Sequence, residues 1–352
     1  MRIDEEKLNK FLEIVLGDLA ASYGGVMVSL GRKLGLYKTL AGAGPLTPGE
    51  VATRTGCAER YVREWLNSQA AAGYVVYHGV SGTYELPPER AMVLADEESP
   101  VYMTPAWDVP ASMWFDEGRA IEAFRSGKGI PWGQHDDRLF HGVAGFYRNA
   151  YQGALVQSWI PAIAGLKDLL TRGARVADVG CGFGHSTIIM ANAFPASRFY
   201  GFDVHAESVL AARSNAEKAG VAERVEFELA NAVNYNGGPY DVVCFFDALH
   251  DMGDPVAAVR RAAEQLAPGG VVMAVEPFAN DRVEDNLTPV GKLYYAASTM
   301  LCVAHSLSEP GAVALGAQAG PAKLEDVFRR AGFSSVNTAL RTPFNLVLEA
   351  RK

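Results

Sequence analysis

RVADVGCGFGHSTIIMA, residues 175–191, ends an apolar run of strand character in three alternating glycines and passes directly into a helical pattern. Gly180, Gly182 and Gly184 let a backbone turn tightly and approach a ligand without interference from a Cβ atom. The spacing is GxGxG, not the GxGxxG that seats a pyrophosphate on a helix N-terminus, so a ligand with adenosine and no pyrophosphate suits the loop better. The next apolar run ends FYGFDV and places Asp203 about 20 residues beyond the loop, where a carboxylate accepts hydrogen bonds from both hydroxyls of a ribose.

Outward from this stretch, strand and helix patterns alternate. SRFYGFDV, RVEFELA, YDVVCFFD and GGVVMAVEP read as buried strands, and STIIMANAF, AESVLAARSNAEKAG and PVAAVRRAAEQLA read as the helices between them. That alternation predicts a parallel sheet in α/β layers. After KLEDVFRRAGF, the runs SSVNTALR and FNLVLEARK predict a closing hairpin around Thr342 and Pro343.

The front of the chain differs. Residues 5–21 set Leu8, Phe11, Leu12, Val15, Leu16 and Leu19 on one helical face, which requires a partner surface, and a further helix is expected within 28–40. Two short helices over 46–73, split by Thr55 and Gly56, then two extended runs around a glycine-containing turn, have the order of a winged helix. Its presumptive recognition helix mixes Arg60 and Arg63 with Glu59 and Glu64, and the wing GVSGT carries no Lys or Arg. Residues 1–100 hold ten Lys and Arg against thirteen Asp and Glu. This is the wrong footprint for a duplex and favours a scaffold or dimerisation role.

The 352 residues allow two domains, or one large domain with an appendage. A composition 49% hydrophobic and 20% charged is that of a folded protein. A net charge of -8 argues against nucleic acid or an anionic membrane as the main partner, leaving small molecules. No run approaching 18 apolar residues is evident and MRIDEEKLNK is too acidic for a secretory signal, so a cytoplasmic location is expected. Cys57, Cys181, Cys244 and Cys302 are too scattered for a zinc finger and read as free thiols. Residues 99–160 crowd aromatic side chains, Trp132 and Tyr147 among them, into a helical connector that could lid an apolar pocket or pack between domains. SGKG at 126–129 lacks the rest of a phosphate-binding loop.

With the glycine loop, Asp203, Ala230-Asn231-Ala232 after the third strand and LAPGG before the fifth, the chain resembles the class I S-adenosylmethionine-dependent methyltransferases over roughly residues 150–352. Residues 24–75 look like the N-terminal winged-helix dimerisation region of small-molecule O-methyltransferases, and HDMGD resembles their HDWxD segment. The likeness is greatest to actinobacterial winged-helix methyltransferases that share LHDMGDP. Met252 stands where the usual Trp would be, which weakens any transfer of plant-type phenolic specificity.

The resemblance implies a Rossmann-like α/β sheet, parallel with an antiparallel last strand, behind an N-terminal helical winged-helix domain. The expected divisions are 1–98, a connector or lid at 99–160, and a catalytic domain at 161–352 with a pocket insertion at 279–320. It implies S-adenosylmethionine as cofactor, with Asp178, Gly180, Gly182 and Gly184 around the methionine part, Asp203 on the ribose, and Asn231 and Ala232 beside adenine. Phe246 and Asp247 would line the site of methyl transfer, and His250 would be the catalytic base. An imidazole of ordinary pKa, near 6.5, can accept a hydroxyl proton as the oxygen attacks.

Asp254 precedes Pro255 and reads as a helix N-cap, and Asp251 as a cap or an orienting group. Tyr294, Tyr295, Met300 and His305 in the insertion are candidates to touch substrate, with core packing as the alternative for the tyrosines. His305 is a second candidate base. Asp247 and Asp251 show no third metal ligand, so no metal is expected. The sequence therefore reads as a homodimeric methyltransferase for a small molecule, with a hydroxyl oxygen as acceptor. Carbon, nitrogen or sulfur acceptors, a cofactor-responsive DNA-binding regulator and a catalytically dead scaffold remain open alternatives.

Overall fold

A computed structural model describes residues 3–352, so Met1 and Arg2 of the expected 1–98 division lie outside the described residues. The chain forms two compact units. One runs to Ala111 and adds His141–Asn149; the other comprises Ser112–Phe140 and Ala150–Lys352. The aromatic-rich stretch 99–160 is thus divided between them.

In the first unit one helix, Glu5–Lys33, replaces the expected pair. Asp4 caps it by accepting from the Lys7 amide, Glu5 and Glu6 occupy its first turn, and Arg32 and Lys33 its last, all favourable to the helix dipole. The break falls at Gly35, whose φ of 69° begins the short helix Leu36–Leu40. Gly25 and Gly31 stay inside the long helix because aromatic rings need their space. A Cβ on Gly25 would stand 2.8 Å from the Trp107 ring, and one on Gly31 would meet the Tyr37 and Trp65 rings.

Helix Pro48–Thr55 opens with a reciprocal Thr47–Glu50 capping box and stops at left-handed Gly56. Helix Glu59–Ala71 and the antiparallel strands β1 (Val76–His78) and β2 (Thr83–Glu85) complete the winged-helix order. Leu36, Leu40, Val51, Val62 and Leu66 form its core around Tyr37, whose hydroxyl donates to buried Gln69. Arg60 and Arg63 of the recognition-type helix are ion-paired to Glu64 and Glu59 on the same helix.

Only Val28 and Gly31 of helix Glu5–Lys33 are buried. Leu8, Phe11, Leu12, Val15, Leu16 and Leu19, the expected apolar stripe, are all exposed. The helix is long and apolar enough to cross a membrane by length and composition, which corrects the reading that no such run exists. The stripe was legible as helical periodicity but its 29-residue continuity was not, because Gly17, Gly24 and Gly25 interrupt the apolar count.

The second unit is built on a seven-stranded sheet. Its strands are β3 (Arg175–Val179), β4 (Arg198–Asp203), β5 (Val225–Leu229), β6 (Tyr240–Phe246), β7 (Leu266–Pro277), β8 (Ser335–Arg341) and β9 (Asn345–Arg351). They lie in the order β5-β4-β3-β6-β7-β9-β8. All pairs from β5 to β7 are parallel, and β9 runs antiparallel to both neighbours. The order reverses between β3 and β6, and the carboxyl ends of strands at such a reversal form a crevice for ligands.

Strand β7 starts earlier than expected. LAPGG lies inside it as a bulge: Tyr240 pairs with Leu266, and the register then jumps so that Val242 pairs with Val271. Helices His185–Ala193, Ala206–Lys218, Pro255–Gln265 and Gly320–Arg330 follow the sheet strands. Asp254 caps the third by accepting from the Ala257 amide. Phe245, Val259, Val272, Phe328 and Leu346 are fully buried in the core between sheet and helices.

Helix propensity and packing make opposite demands at two glycines of the N-terminal helix. Glycine to alanine gains about 1 kcal/mol in an open helix. Nothing lies within 4 Å of a Cβ at Gly17, whereas Gly31 faces two rings. In denaturant unfolding Gly17→Ala should therefore raise the midpoint, and Gly31→Ala should lower stability by about 1–3 kcal/mol. Equal gains from both would contradict this packing.

Candidate active site

Strand β3 ends at Val179, and the chain bends through Gly180, Gly182 and Gly184 at φ values of 79°, 51° and 76°. Side chains other than hydrogen are strained there. Space adds a second demand at Gly184, where a Cβ would stand 2.5 Å from the Phe227 ring, and at Gly180, where it would stand 2.6 Å from Ala248. Gly182 has nothing within 4 Å and so presents an open backbone face. Its amide donates to Asp203 Oδ2 at 2.8 Å, and the His205 amide donates to Oδ1 at 2.9 Å. Asp203 thereby ties the loop to the end of β4 while each oxygen retains another acceptor position. Burial pushes its carboxyl up, against the pull of those two amides.

Asp178, one residue before the end of β3, is fully buried. Its Oδ2 accepts from the Ser186 and Thr187 hydroxyls, both at 2.6 Å, which ties β3 to the first turn of the next helix. Its Oδ1 has no hydrogen-bond partner. Burial lifts this carboxyl to about 6, the two hydroxyls only partly opposing it. After β5, the Asn231 side-chain oxygen accepts from the Val233 amide at 3.0 Å, and Ala232 packs against the sheet core.

At the tip of β6, Phe246 is buried with its ring 5.7 Å from that of Tyr151. Asp247 follows with φ of 50°, an uncommon conformation for a residue with a side chain. Its amide donates to the Val275 carbonyl at 2.7 Å and its Oδ1 accepts from Asn345 at 3.0 Å, so the adjacent strand β7 and, beyond it, β9 hold the bend. A single turn, Leu249–Asp251, then carries His250.

Glu276, near the end of β7, clamps that turn. Its carboxylate accepts from the Leu249 amide at 3.0 Å, the His250 amide at 3.3 Å and His250 Nδ1 at 2.6 Å. On the other side His250 Nε2 lies 3.0 Å from Asp251 Oδ1, at ion-pair distance, although that oxygen makes no aligned hydrogen bond. Burial works against charge on the imidazole, but Asp251 and Glu276 outweigh it and hold its pKa well above the ordinary 6.5. The Asp251 carboxyl, raised by burial but lowered more by His250, stays below its usual range. Both carboxylates thus favour the protonated form of the ring, where the sequence led us to expect an imidazole of ordinary pKa.

The insertion forms helices Pro289–Met300 and Cys302–Ser308. Tyr294 is buried, with its hydroxyl donating to the Phe344 carbonyl at 3.0 Å. Tyr295 and Met300 are half-buried on the same helix. His305 Nδ1 accepts the Trp132 amide at 3.2 Å, and the two rings lie 5.7 Å apart. Phe140 stacks on His205 at 4.4 Å, beside Asp203. Trp132 is thus docked on the insertion, whereas Tyr147 belongs to the first unit, with its ring 5.1 Å from Phe146.

Three neighbours of this site escaped the sequence reading. Glu276 was legible only as the acid ending an apolar strand. Tyr151 lies where Asp247, Asp178 and Glu276 add to the burial that pushes its phenol well above the ordinary value. Cys302 sits beside His250 and Asp251.

Residues 170–332 match a family model described as a methyltransferase domain, and residues 22–96 match one for an Rv2258c-like winged HTH domain. The chain carries a methyltransferase domain. Its relatives include 27-O-demethylrifamycin SV methyltransferase of Amycolatopsis mediterranei, 39% identical over 29% of this chain and 38% of that protein. Alignments with the first three curated relatives span between 24% and 52% of their length. Among solved structures, mitomycin 7-O-methyltransferase MmcR has a TM-score of 0.71 at 19% identity, covering 99% of this chain and 100% of that one. Human N-acetylserotonin methyltransferase, solved with S-adenosylmethionine, has a TM-score of 0.69 at 18% identity and 97% coverage of both chains. These likenesses establish the fold.

The methyltransferase domain has features that fit S-adenosylmethionine. Gly182 leaves open the space a Cβ would fill, Asp203 retains acceptor positions beside it, and Asp178 holds a buried oxygen without a partner. Burial of Asp178 also has a cost. Its folded pKa of about 6 exceeds the ordinary 3.8, so its contribution to stability is full at acid pH and is lost as pH rises through 6. Asp178→Asn should remove that loss. Between about pH 4 and pH 7 its unfolding free energy should fall less than the wild type's, by on the order of 3 kcal/mol. Identical pH slopes in denaturant titrations would contradict the assignment.

Proposed function

We propose that this chain transfers a methyl group from S-adenosylmethionine to a hydroxyl oxygen of a small molecule, with His250 receiving the hydroxyl proton. The observation that supports this reading most is the juxtaposition across the β3–β6 reversal. An open glycine loop ends one strand, and a histidine clamped by Glu276 follows the neighbouring strand.

The cofactor, when bound, supplies a methyl group made electrophilic by a sulfonium. The chain's residues bind, orient and exclude water. In this reading Asp178, Gly180, Gly182 and Gly184 hold the methionine portion, Asp203 the ribose, and Asn231 and Ala232 the adenine. Phe246 and Asp247 flank the reacting methyl, with Trp132, Tyr294, Tyr295, Met300 and His305 toward the acceptor. The acceptor oxygen would take the methyl carbon as the carbon–sulfur bond breaks and a neutral thioether leaves, while the hydroxyl proton would pass to His250 Nε2. Glu276 keeps the proton on Nδ1, so Nε2 is the atom left to receive it.

For that transfer His250 must first lose the Nε2 proton that Asp251 favours. The acid limb of kcat/KM should therefore lie above pH 6.5, and Asp251→Asn should move it down. His250→Ala should lower kcat by about 10²- to 10⁴-fold while calorimetric affinity for S-adenosylhomocysteine stays unchanged. An unchanged kcat at saturating acceptor would remove the base role and favour a carbon, nitrogen or sulfur acceptor.

The exposed stripe of helix Glu5–Lys33 supports a homodimer in which a second copy covers these side chains. In sedimentation velocity the wild type should run as a dimer and Leu16→Glu should shift it toward monomer. A wild-type monomer at all concentrations would overturn the dimer.

A further inference from the structure

We propose that His250, Asp251 and Cys302 form a binding site for Zn²⁺ or a similar borderline-soft divalent ion, and that its occupation withdraws His250 from proton transfer. The second half rests on the base role proposed above; the binding site does not.

The three residues each offer one ligand atom, and these atoms lie within 4.8 Å of one another. Zinc bonds of about 2.0–2.3 Å place neighbouring donors of a tetrahedral site roughly 3.4–3.7 Å apart, so the trio needs only a small inward movement. Imidazole nitrogen, carboxylate oxygen and thiolate sulfur together suit Zn²⁺ far better than Mg²⁺ or Ca²⁺, which prefer oxygen alone.

The surroundings are built for a ligand as well. Glu276 holds His250 Nδ1 at 2.6 Å, the carboxylate–histidine arrangement that orients a metal-binding imidazole and raises its basicity. Asp251 Oδ1 lies 3.0 Å from His250 Nε2 and its carboxylate faces the Cys302 thiol, so departure of the Nε2 and thiol protons leaves it as a donor for a metal. Cys302 is a free thiol at the start of helix Cys302–Ser308, and that helix is fixed to the His250 turn by Ser306 Oγ, which donates to the Met252 carbonyl at 2.8 Å. The Asp251 side chain, 18% exposed, offers a way in.

On binding, the thiol proton and the Nε2 proton leave to solvent, and no electron moves. Three protein ligands leave a fourth position for water. The metal then occupies the Nε2 lone pair that proton acceptance needs.

Co²⁺ added to the full-length chain is a direct probe. One equivalent should produce the visible bands of a tetrahedral ion and a near-ultraviolet thiolate-to-cobalt band. Cys302→Ser, which preserves size, should lose the thiolate band, His250→Ala should bind at least about tenfold more weakly, and Cys57→Ser should behave as wild type. Absence of these bands in the wild type, or their persistence in Cys302→Ser, overturns the site. Equimolar Zn²⁺ should suppress methyl transfer and a chelator should restore it. Unchanged turnover in the metal-loaded chain overturns the withdrawal of His250. Cobalt bands in a chain that methylates no acceptor would instead count against the methyltransferase reading while supporting the site.

Discussion

The carboxylate of Glu276 carries the arrangement at the strand ends. It accepts two backbone amides and one ring nitrogen from Leu249 and His250, and it is itself almost completely buried. Removing it would leave three donors without their acceptor, each costing about 1–3 kcal/mol when buried. The clamp in turn depends on sheet register. Phe246 pairs with Val275, so Glu276 lies one residue beyond the last β6–β7 pair, level with the turn that leaves β6. Parallel pairing thus sets where the histidine stands, and the clamp sets which of its nitrogens faces away from Glu276.

The same crevice is rich in buried and half-buried acids. Asp178, Asp203, Asp251 and Glu276 gather at the ends of four strands, with the His250 ring between the last two. Burial raises Asp178 and Asp203, which marks the energetic cost of keeping negative charge there without a ligand. A positively charged ligand relieves that cost, and a sulfonium nucleoside is such a ligand. Preorganisation of this kind exchanges stability of the fold for affinity.

What the sequence made legible was local. The glycine loop and Asp203 could be read because a strand, a bend and a helix lie in one continuous stretch, and the acid after β4 follows at a fixed interval. The Asp254 cap and the β8–β9 hairpin were readable for the same reason. Glu276 and Cys302 were not, because they reach His250 from 26 and 52 residues away through sheet register and the fold of the insertion. The upward pull on the His250 pKa was not legible for that reason, since its ordinary value says nothing of two carboxylates absent from its own turn or unresolved in orientation. The contact that fixes His305, its Nδ1 accepting the Trp132 amide, comes from 173 residues away and was not legible either. The bulge of β7 was hidden because LAPGG has the composition of a loop.

Nitrogen-15 NMR of the His250 ring, in chain labelled at histidine, tests the clamp most directly. The account predicts both ring nitrogens protonated at neutral pH and a titration midpoint well above 6.5, lowered in Glu276→Gln. A ring already neutral at pH 7, with a midpoint at or below the ordinary value, would contradict it.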